Sequence, residues 1–236
     1  MKLTLNHAAL AVLASLAAAP ALAQQSAADS AVERCVAADT ATRWKQVAAA
    51  ARRAGDERGT DDSLRARLLA LGRADQALRA DADSMRSASY VRRMEEGDSA
   101  NADALMEIVA RHGWPTRSRV GREAASAAFL VAQHNPRIRG EALARMLALP
   151  PGEVDAQDLA LLQDRVLVSE GKPQRFGSQF SSAPGSPDVL ELYPIEDIEH
   201  VDARRAEVGL FPLGTYLCIM RGVTGQEIRV PLARRP

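Results

Sequence analysis

The chain has 236 residues, and its 30 Lys and Arg residues are equal in number to its 30 Asp and Glu residues. A chain with no net charge has no global field to attract nucleic acid, so a nucleic-acid partner is not expected. Aromatic residues are only 4% of the chain, so Leu, Val and Ala must form its hydrophobic core. The length suits one domain of ordinary size.

Residues 1–23 have the pattern of a secretory signal peptide. Lys2 gives a basic start, residues 8–19 are apolar, and Ala21-Leu22-Ala23 is a small-x-small cleavage motif. The apolar run is shorter than the roughly 20 residues that a membrane-spanning helix needs. We therefore expect cleavage after Ala23 and a periplasmic or secreted protein without a membrane span.

The rest of the chain has helical periodicity over most of its length. Residues 31–54 are rich in Ala and predict a helix within an N-terminal helical lead of residues 24–60. Further helices are predicted over the stripe of Leu64, Leu68, Leu71 and Leu78, and then over residues 101–112, 120–134, 138–149 and 156–169. A Gly or Pro residue soon follows each of the last four, as is typical of helix ends.

The last third of the chain has a different pattern. Residues 175–180 and 189–193 are short extended segments, and residues 181–187 between them have the composition of a turn. Three further elements follow: a helix at 198–207, a short apolar segment at 213–220, and a strand or tail at 226–232. The predicted fold class is mainly α, a single helical domain over residues 61–236 with a small β-hairpin near the C-terminal third.

The chain contains two cysteines, Cys35 and Cys218. An oxidising compartment permits a disulfide between them, and such a bridge would close a long loop. In the entropic model it would stabilise the fold by about 3–5 kcal/mol. The alternative is two separate buried thiols, and the sequence leaves both possibilities open.

Four polar residues lie on helix faces that are otherwise apolar. Asp75 shares a face with four Leu residues, and Asp164 interrupts the apolar residues 159–168. Asn101 and His134 stand at the ends of two other apolar faces. Burying an unpaired carboxylate is costly, so both Asp residues need partners if they point inward. The pattern predicts either structural ion pairs or the wall of a polar pocket.

Five short motifs follow one another in a fixed order along the chain. They are Asp75-Gln76 with Arg79, Asn101 ahead of Gly113-Trp114-Pro115, Gln133-His134, Asp164-Arg165, and the segment Gln174–Gln179. This order resembles an uncharacterised bacterial family, the domain-of-unknown-function family 6624. The resemblance covers most of the chain after about Asp61. It implies that these polar residues share a site, and it implies no known activity.

The segment Gln174–Gln179 departs from the pattern of that family at two positions. Phe176 stands where the family has Tyr, and Ser178 stands where it has Thr. Ser178 keeps a hydroxyl group, whereas Phe176 has none. A catalytic tyrosine at this position is therefore not expected here.

His134 is the candidate for acid–base catalysis, because imidazole titrates near neutral pH. Asp164 is the candidate carboxylate that would orient the His134 ring. One alternative is that His134 caps the end of its helix before Asn135-Pro136. The alternative for Asp164 is a structural salt bridge with neighbouring helices.

The candidate ligand-binding residues are those whose amides or charges suit a polar ligand: Asp75, Gln76, Asn101, Arg165, Gln174 and Gln179. The alternative role for Gln174 and Gln179 is hydrogen bonding to the backbone of the hairpin. We expect no metal and no cofactor, because the sequence has no His-x-x-x-His or Cys-x-x-Cys spacing, no phosphate loop and no dinucleotide fingerprint.

Three functions are compatible with this pattern. The first is a binding or interaction module with a polar pocket for a small polar ligand or an envelope component. The second is a metal-independent hydrolase or lyase with His134 as general base and Asp164 behind it. The third is a structural role in which every inward polar residue is satisfied internally. The sequence leaves open whether the protein is an enzyme.

Overall fold

The computed structural model describes residues 33–36, 59–79 and 87–230. These residues belong to two compact units. Unit 1 contains the described residues up to Leu162, apart from residues 33–36, and unit 2 contains residues 33–36 and 163–230. The predicted signal peptide and most of the predicted N-terminal lead lie outside the described residues.

Unit 1 is built from helices, which confirms the mainly α prediction for this part of the chain. They are α1 (Asp62–Leu78), α2 (Ala88–His112), α3 (Arg117–His134), α4 (Arg139–Leu147) and the first half of α5 (Ala156–Ser169). Their apolar faces form a core that includes Leu64, Leu68, Leu105, Ile108, Val109, Phe129 and Val131.

Local capping sets the helix starts. The Asp61 side chain accepts a hydrogen bond from the Leu64 N–H at 3.0 Å and begins α1, as a helix N-cap does. Ser87 begins α2 in the same way by accepting from the Tyr90 N–H at 3.2 Å. Because of this cap, α2 starts well before Asn101, where the sequence pattern had placed the start of a helix.

Close packing of α1 on α3 positions the polar ends of both helices. A Cβ atom on Gly72 would lie only 2.8 Å from the Cβ of Ala127, so a larger residue at position 72 would push the two helices apart. Asp75 follows Gly72 by one turn of α1, and His134 is the last residue of α3. Both side chains thus stand near the C-terminal ends of helices that are in close contact.

Unit 2 combines short helices with a small sheet, as predicted. Its elements after α5 are β1 (Phe180–Ala183), β2 (Ser186–Leu192), α6 (Val201–Glu207), α7 (Leu213–Thr224) and β3 (Glu227–Arg229). Strands β1 and β2 form an antiparallel hairpin, and β3 pairs with β2 in parallel. The last strand is therefore part of the sheet rather than a free tail.

The hairpin begins later than the sequence pattern indicated. Residues 175–180 were expected to be extended, but β1 starts only at Phe180. The reason is that the backbone N–H groups of Arg175, Phe176 and Ser178 donate to the Asp164 carboxylate instead of to a neighbouring strand. A buried side chain thus replaces the strand partner that this segment would otherwise need.

Cys35 and Cys218 form a disulfide, with their Cα atoms 5.9 Å apart. This is one of the two possibilities that the sequence left open. The bridge joins the helical residues 33–36 to α7 within unit 2. No helix within the described ranges combines the length and apolar character needed to cross a membrane.

Candidate functional site

The His134 cluster consists of Asp75, Arg79, Asp98 and His134, and all four belong to unit 1. The Nδ1 atom of His134 lies 2.8 Å from Oδ1 and 3.0 Å from Oδ2 of Asp75. The side chains of Asp75 and His134 are only 1% and 6% exposed. The helices of unit 1 thus bring together two of the polar residues that the sequence pattern singled out.

Arg79 links this pair to a second carboxylate. Its Nη1 atom donates to Asp75 Oδ1 at 3.1 Å, and its Nη2 atom lies 2.8 Å from both oxygens of Asp98. Gln76 donates to the remaining Asp75 oxygen at 2.8 Å. Both carboxylates therefore have a cationic or polar partner, as buried charges require.

The contact with Asp75 fixes the chemistry of the His134 ring. In the neutral imidazole, a carboxylate at Nδ1 favours the tautomer in which Nδ1 carries the proton. Nε2 is then the nitrogen that can accept a proton. This is the arrangement by which a carboxylate orients a catalytic imidazole, and here the carboxylate at Nδ1 is that of Asp75.

Two amide groups of unit 1 are buried and lack a partner for their nitrogen within the described part of the chain. Among the described residues, Asn101 Nδ2 and Gln133 Nε2 make no hydrogen bond. Asn101 lies one turn after Asp98 on α2, and Gln133 directly precedes His134 on α3. Buried polar groups are nearly always satisfied, so each of these donors needs an explanation.

A second buried carboxylate organises unit 2. Asp164 is 0% exposed and accepts hydrogen bonds from the backbone N–H groups of Arg175, Phe176 and Ser178 at 2.7–3.0 Å. The Ser178 hydroxyl donates to the same carboxylate at 2.9 Å. Burial raises the pKa of the Asp164 carboxyl, and these hydrogen bonds oppose that shift.

The Gln174 side chain makes hydrogen bonds that hold residues 174–179 together. Its Nε2 atom donates to the carbonyl groups of Gln179 and Tyr193 at 3.1 and 2.9 Å, and its Oε1 atom accepts from the Gln179 N–H at 2.8 Å. The Gln174 side chain is fully buried. We call residues 174–179 the Asp164 loop, and its hydrogen bonds match the backbone-bonding alternative considered for Gln174.

Arg205 and Tyr216 support the outer part of the Asp164 loop. The Arg205 guanidinium donates to the carbonyl group of Phe176 and lies 4.7 Å from the centre of the Tyr216 ring. The Tyr216 hydroxyl donates to the carbonyl group of Ser178 at 3.2 Å. Burial lowers the pKa of Arg205 to about 10. The loop is thus held by side chains from α5, α6 and α7.

The structure groups the predicted site residues into two sets. Asp75 contacts both Gln76 and His134 in unit 1. In unit 2, Gln174 and Gln179 are hydrogen-bonded to each other within the loop whose backbone N–H groups donate to Asp164. A pocket shared by the two sets stays a prediction, as does the role of Asp164 in orienting His134. Arg165 is half-buried on α5, and its role in ligand binding also stays a prediction.

A family model matches residues 62–229, from the first residue of α1 to the last residue of β3. It describes a family of unknown function, DUF6624. The chain belongs to the DUF6624 family. No curated protein and no solved structure matches it.

The DUF6624 region contains every residue of the His134 cluster and of the Asp164 loop, whereas Cys35 lies outside it. The description of DUF6624 names no activity, and a fold does not determine a function, so the side chains decide which chemistry the site can perform. Within the described part of this DUF6624 member, no three His, Cys, Asp or Glu side chains are placed to hold a metal ion.

Sequence reasoning missed several residues that complete the two sets. Asp98 was not among the predicted site residues, although its position one turn before Asn101 places it on the same face of α2. Arg205 lies in a short polar helix where nothing in the local pattern marks it as buried. Tyr216 is one of only three tyrosines in the DUF6624 chain, and that scarcity was the one available signal.

Proposed function

We propose that the protein is a binding module that takes a small polar ligand beside the His134 cluster in unit 1. The buried amide of Asn101 carries the proposal, because its Nδ2 atom makes no hydrogen bond among the described residues. An unsatisfied buried donor costs about 1–3 kcal/mol. A ligand oxygen that accepts this hydrogen bond would remove the cost.

The position of Asn101 supports a site next to the cluster. Residues three apart on a helix have Cβ atoms about 5–6 Å apart, so Asn101 and Asp98 are neighbours on one face of α2. Gln133 has a second unsatisfied amide donor, but consecutive residues of a helix do not face each other, so the proposal rests on Asn101. The amide donor of Asn101 favours a ligand with carbonyl, hydroxyl or carboxylate oxygens, either a small metabolite or a component of the cell envelope.

Replacing Asn101 with Leu tests this proposal. The change removes an unsatisfied donor, so the ligand-free protein should melt at an equal or higher temperature. A panel of amino acids, dicarboxylates and monosaccharides is screened by differential scanning fluorimetry. A ligand at about 100 times its Kd should raise the wild-type Tm by about 5–10 °C, and this rise should vanish in Asn101→Leu.

Ala100→Leu is the matched control, because it adds the same side chain at an exposed neighbouring position of α2. It should keep the ligand-induced rise in Tm. A rise that survives in Asn101→Leu would place the ligand elsewhere. If no compound in the panel raises the wild-type Tm, while Asn101→Leu is clearly less stable than wild type, the amide has an internal structural role and the proposal fails.

A second candidate function is metal-independent hydrolysis or elimination with His134 as general base. The contact between His134 Nδ1 and Asp75 supports it, because the carboxylate leaves Nε2 as the proton acceptor. The sequence pattern had suggested Asp164 for this orienting role. Asp75 is the carboxylate for which the contact with the ring is direct.

The tautomer of His134 is the readout that tests this second function. We expect ¹⁵N NMR of the imidazole to show the proton on Nδ1 in the neutral ring, and Asp75→Asn to weaken that preference. Nitrophenyl esters and phosphates serve as generic substrates. If either is turned over, His134→Ala should lower the rate by about 10²–10⁴-fold. A proton on Nε2 in the neutral wild-type ring would rule out this assignment.

We also propose that the protein works outside the cytoplasm. The signal-peptide pattern of residues 1–23 supports export. The Cys35–Cys218 disulfide supports the same conclusion, because disulfides persist in oxidising compartments such as the periplasm and the extracellular medium. The proposed ligand is therefore expected among the small molecules or polymer fragments of the envelope.

A further inference from the structure

A pair of carboxylates lies where the first turn of α5 meets α3 in unit 1, away from the residues used above. Asp155 directly precedes α5, and Asp158 lies in its first turn. Both residues are buried, with 9% and 2% of their surface exposed. Two carboxylates three residues apart at a buried helix end repel each other unless one of them carries a proton.

The partners of Asp155 are those that an ionised carboxylate needs. Arg122 of α3 lies 3.1 Å from its Oδ2 atom. Its Oδ1 atom accepts a hydrogen bond from the Gln157 N–H at 3.0 Å, so it also caps the start of α5. Asp155 therefore pairs with the nearby cation and caps the N-terminus of α5.

Asp158 has fewer hydrogen-bond and charged partners than Asp155. Its Oδ2 atom bonds the hydroxyl of Ser126 on α3, and its Oδ1 atom makes no hydrogen bond among the described residues. A serine hydroxyl can donate to a carboxylate or accept from a carboxylic acid, so it suits either form of Asp158. An ionised carboxylate with a single neutral partner in a buried site is strongly disfavoured.

We propose that Asp155 and Asp158 form a pH-sensitive lock between α3 and the first turn of α5. The lock is closed while Asp158 carries a proton, and it loosens when Asp158 ionises beside Asp155. The two carboxylates differ in their surroundings, because Asp155 contacts Arg122 and the Gln157 N–H whereas Asp158 contacts a single hydroxyl group. The lock makes the stability of unit 1 depend on pH, and it is separate from the proposed binding site.

Burial and the groups around Asp158 favour the protonated form of its carboxyl group. Burial and then the neighbouring Asp155 carboxylate raise the pKa of Asp158 from 3.8 to about 8. The Ser126 hydroxyl, Arg122 and Arg117 act in the opposite direction but do not outweigh burial. These are the charged and polar groups that face Asp158 from α3 and from its own helix end.

The sign of the pH effect follows from proton counting. Between the unfolded value of 3.8 and the folded value of about 8, the folded chain holds one proton more than the unfolded chain. The folded state therefore loses stability as the pH rises through this window, and the loss is complete above the folded pKa. For one proton, the unfolding equilibrium constant rises about tenfold per pH unit.

Asp158→Asn tests the lock, because the amide has the same shape and cannot ionise. The unfolding equilibrium constants of wild type and variant are measured by urea denaturation between about pH 5 and pH 9. The ratio of wild type to variant should rise about tenfold per pH unit up to about pH 7 and level off above about pH 8. Asp62→Asn, at an exposed position in the first turn of α1, should show no such rise.

A direct measurement on the wild-type protein keeps the test decisive if Asp158→Asn folds poorly. The ¹³C resonance of the Asp158 carboxyl group should stay at its protonated position near neutral pH and move only toward alkaline pH. In Asp155→Asn, which removes the repelling charge, the movement should occur at lower pH. A carboxyl group that is ionised at about pH 6, or a ratio of equilibrium constants that does not change with pH, would overturn the proposal.

Discussion

Asp164→Ala should lower the free energy of unfolding by about 3–5 kcal/mol, because several buried hydrogen-bond donors lose the acceptor that they share. Asp164 is fully buried and is the hydrogen-bond acceptor for the backbone N–H groups of Arg175, Phe176 and Ser178. Its removal leaves three backbone donors and one hydroxyl without their acceptor. Each unsatisfied buried donor costs about 1–3 kcal/mol, and relaxation of the loop recovers part of the sum.

The measurement is urea denaturation, combined with hydrogen exchange at the amides of the Asp164 loop. Those amides should exchange much faster in Asp164→Ala, and Asp164→Asn should show a smaller loss because it keeps one acceptor oxygen. Asp188→Ala, at an exposed position of β2, is the control and should change stability by no more than about 0.5 kcal/mol. A loss below about 1 kcal/mol with the loop amides still protected would show that Asp164 does not hold the loop.

Helical periodicity was enough to predict that certain polar residues face inward. Asp75 and Asp164 interrupt apolar stripes, and both are almost completely buried. A helix repeats every 3.6 residues, so a polar residue on an apolar stripe points in the same direction as its apolar neighbours. The same reasoning predicted the mainly α fold, and the turn-rich residues 181–187 predicted the hairpin.

The choice of partners could not be predicted in this way. The contact between Asp75 and His134 joins residues 59 positions apart, and it depends on how closely α1 and α3 pack at Gly72. Periodicity describes one helix at a time and contains no information on such contacts. Asp98 was missed for the same reason, because its role depends on Arg79 from another helix.

The Asp164 loop shows a second limit of sequence reasoning. Residues 175–180 were predicted to be extended, and strand formation requires neighbouring backbone groups as partners. Here Asp164 and the Gln174 side chain supply those partners, so the segment stays irregular up to Phe180. Nothing in the local sequence distinguishes a strand from a loop that is bonded to buried side chains.

Asp75→Ala distinguishes a structural role of the His134 cluster from a role in ligand binding. It removes the acceptor for His134 Nδ1, Arg79 Nη1 and Gln76 Nε2. Arg79 then keeps Asp98 as its only carboxylate partner among the residues of the His134 cluster. We expect the free energy of unfolding to fall by about 3–5 kcal/mol, as for other broken buried pairs.

Asp103→Ala is the matched control, because it breaks an ion pair with Arg137 in which both side chains are more than half exposed. It should cost no more than about 1 kcal/mol. If Asp75→Ala costs as little as this control, the cluster contributes no measurable stability. If Asp75→Ala lowers stability while a ligand-induced rise in Tm persists, the cluster is structural and the ligand binds elsewhere. We expect Asp75→Ala to lose both stability and the ligand-induced rise in Tm, because Asp75 holds the geometry that the proposed site needs.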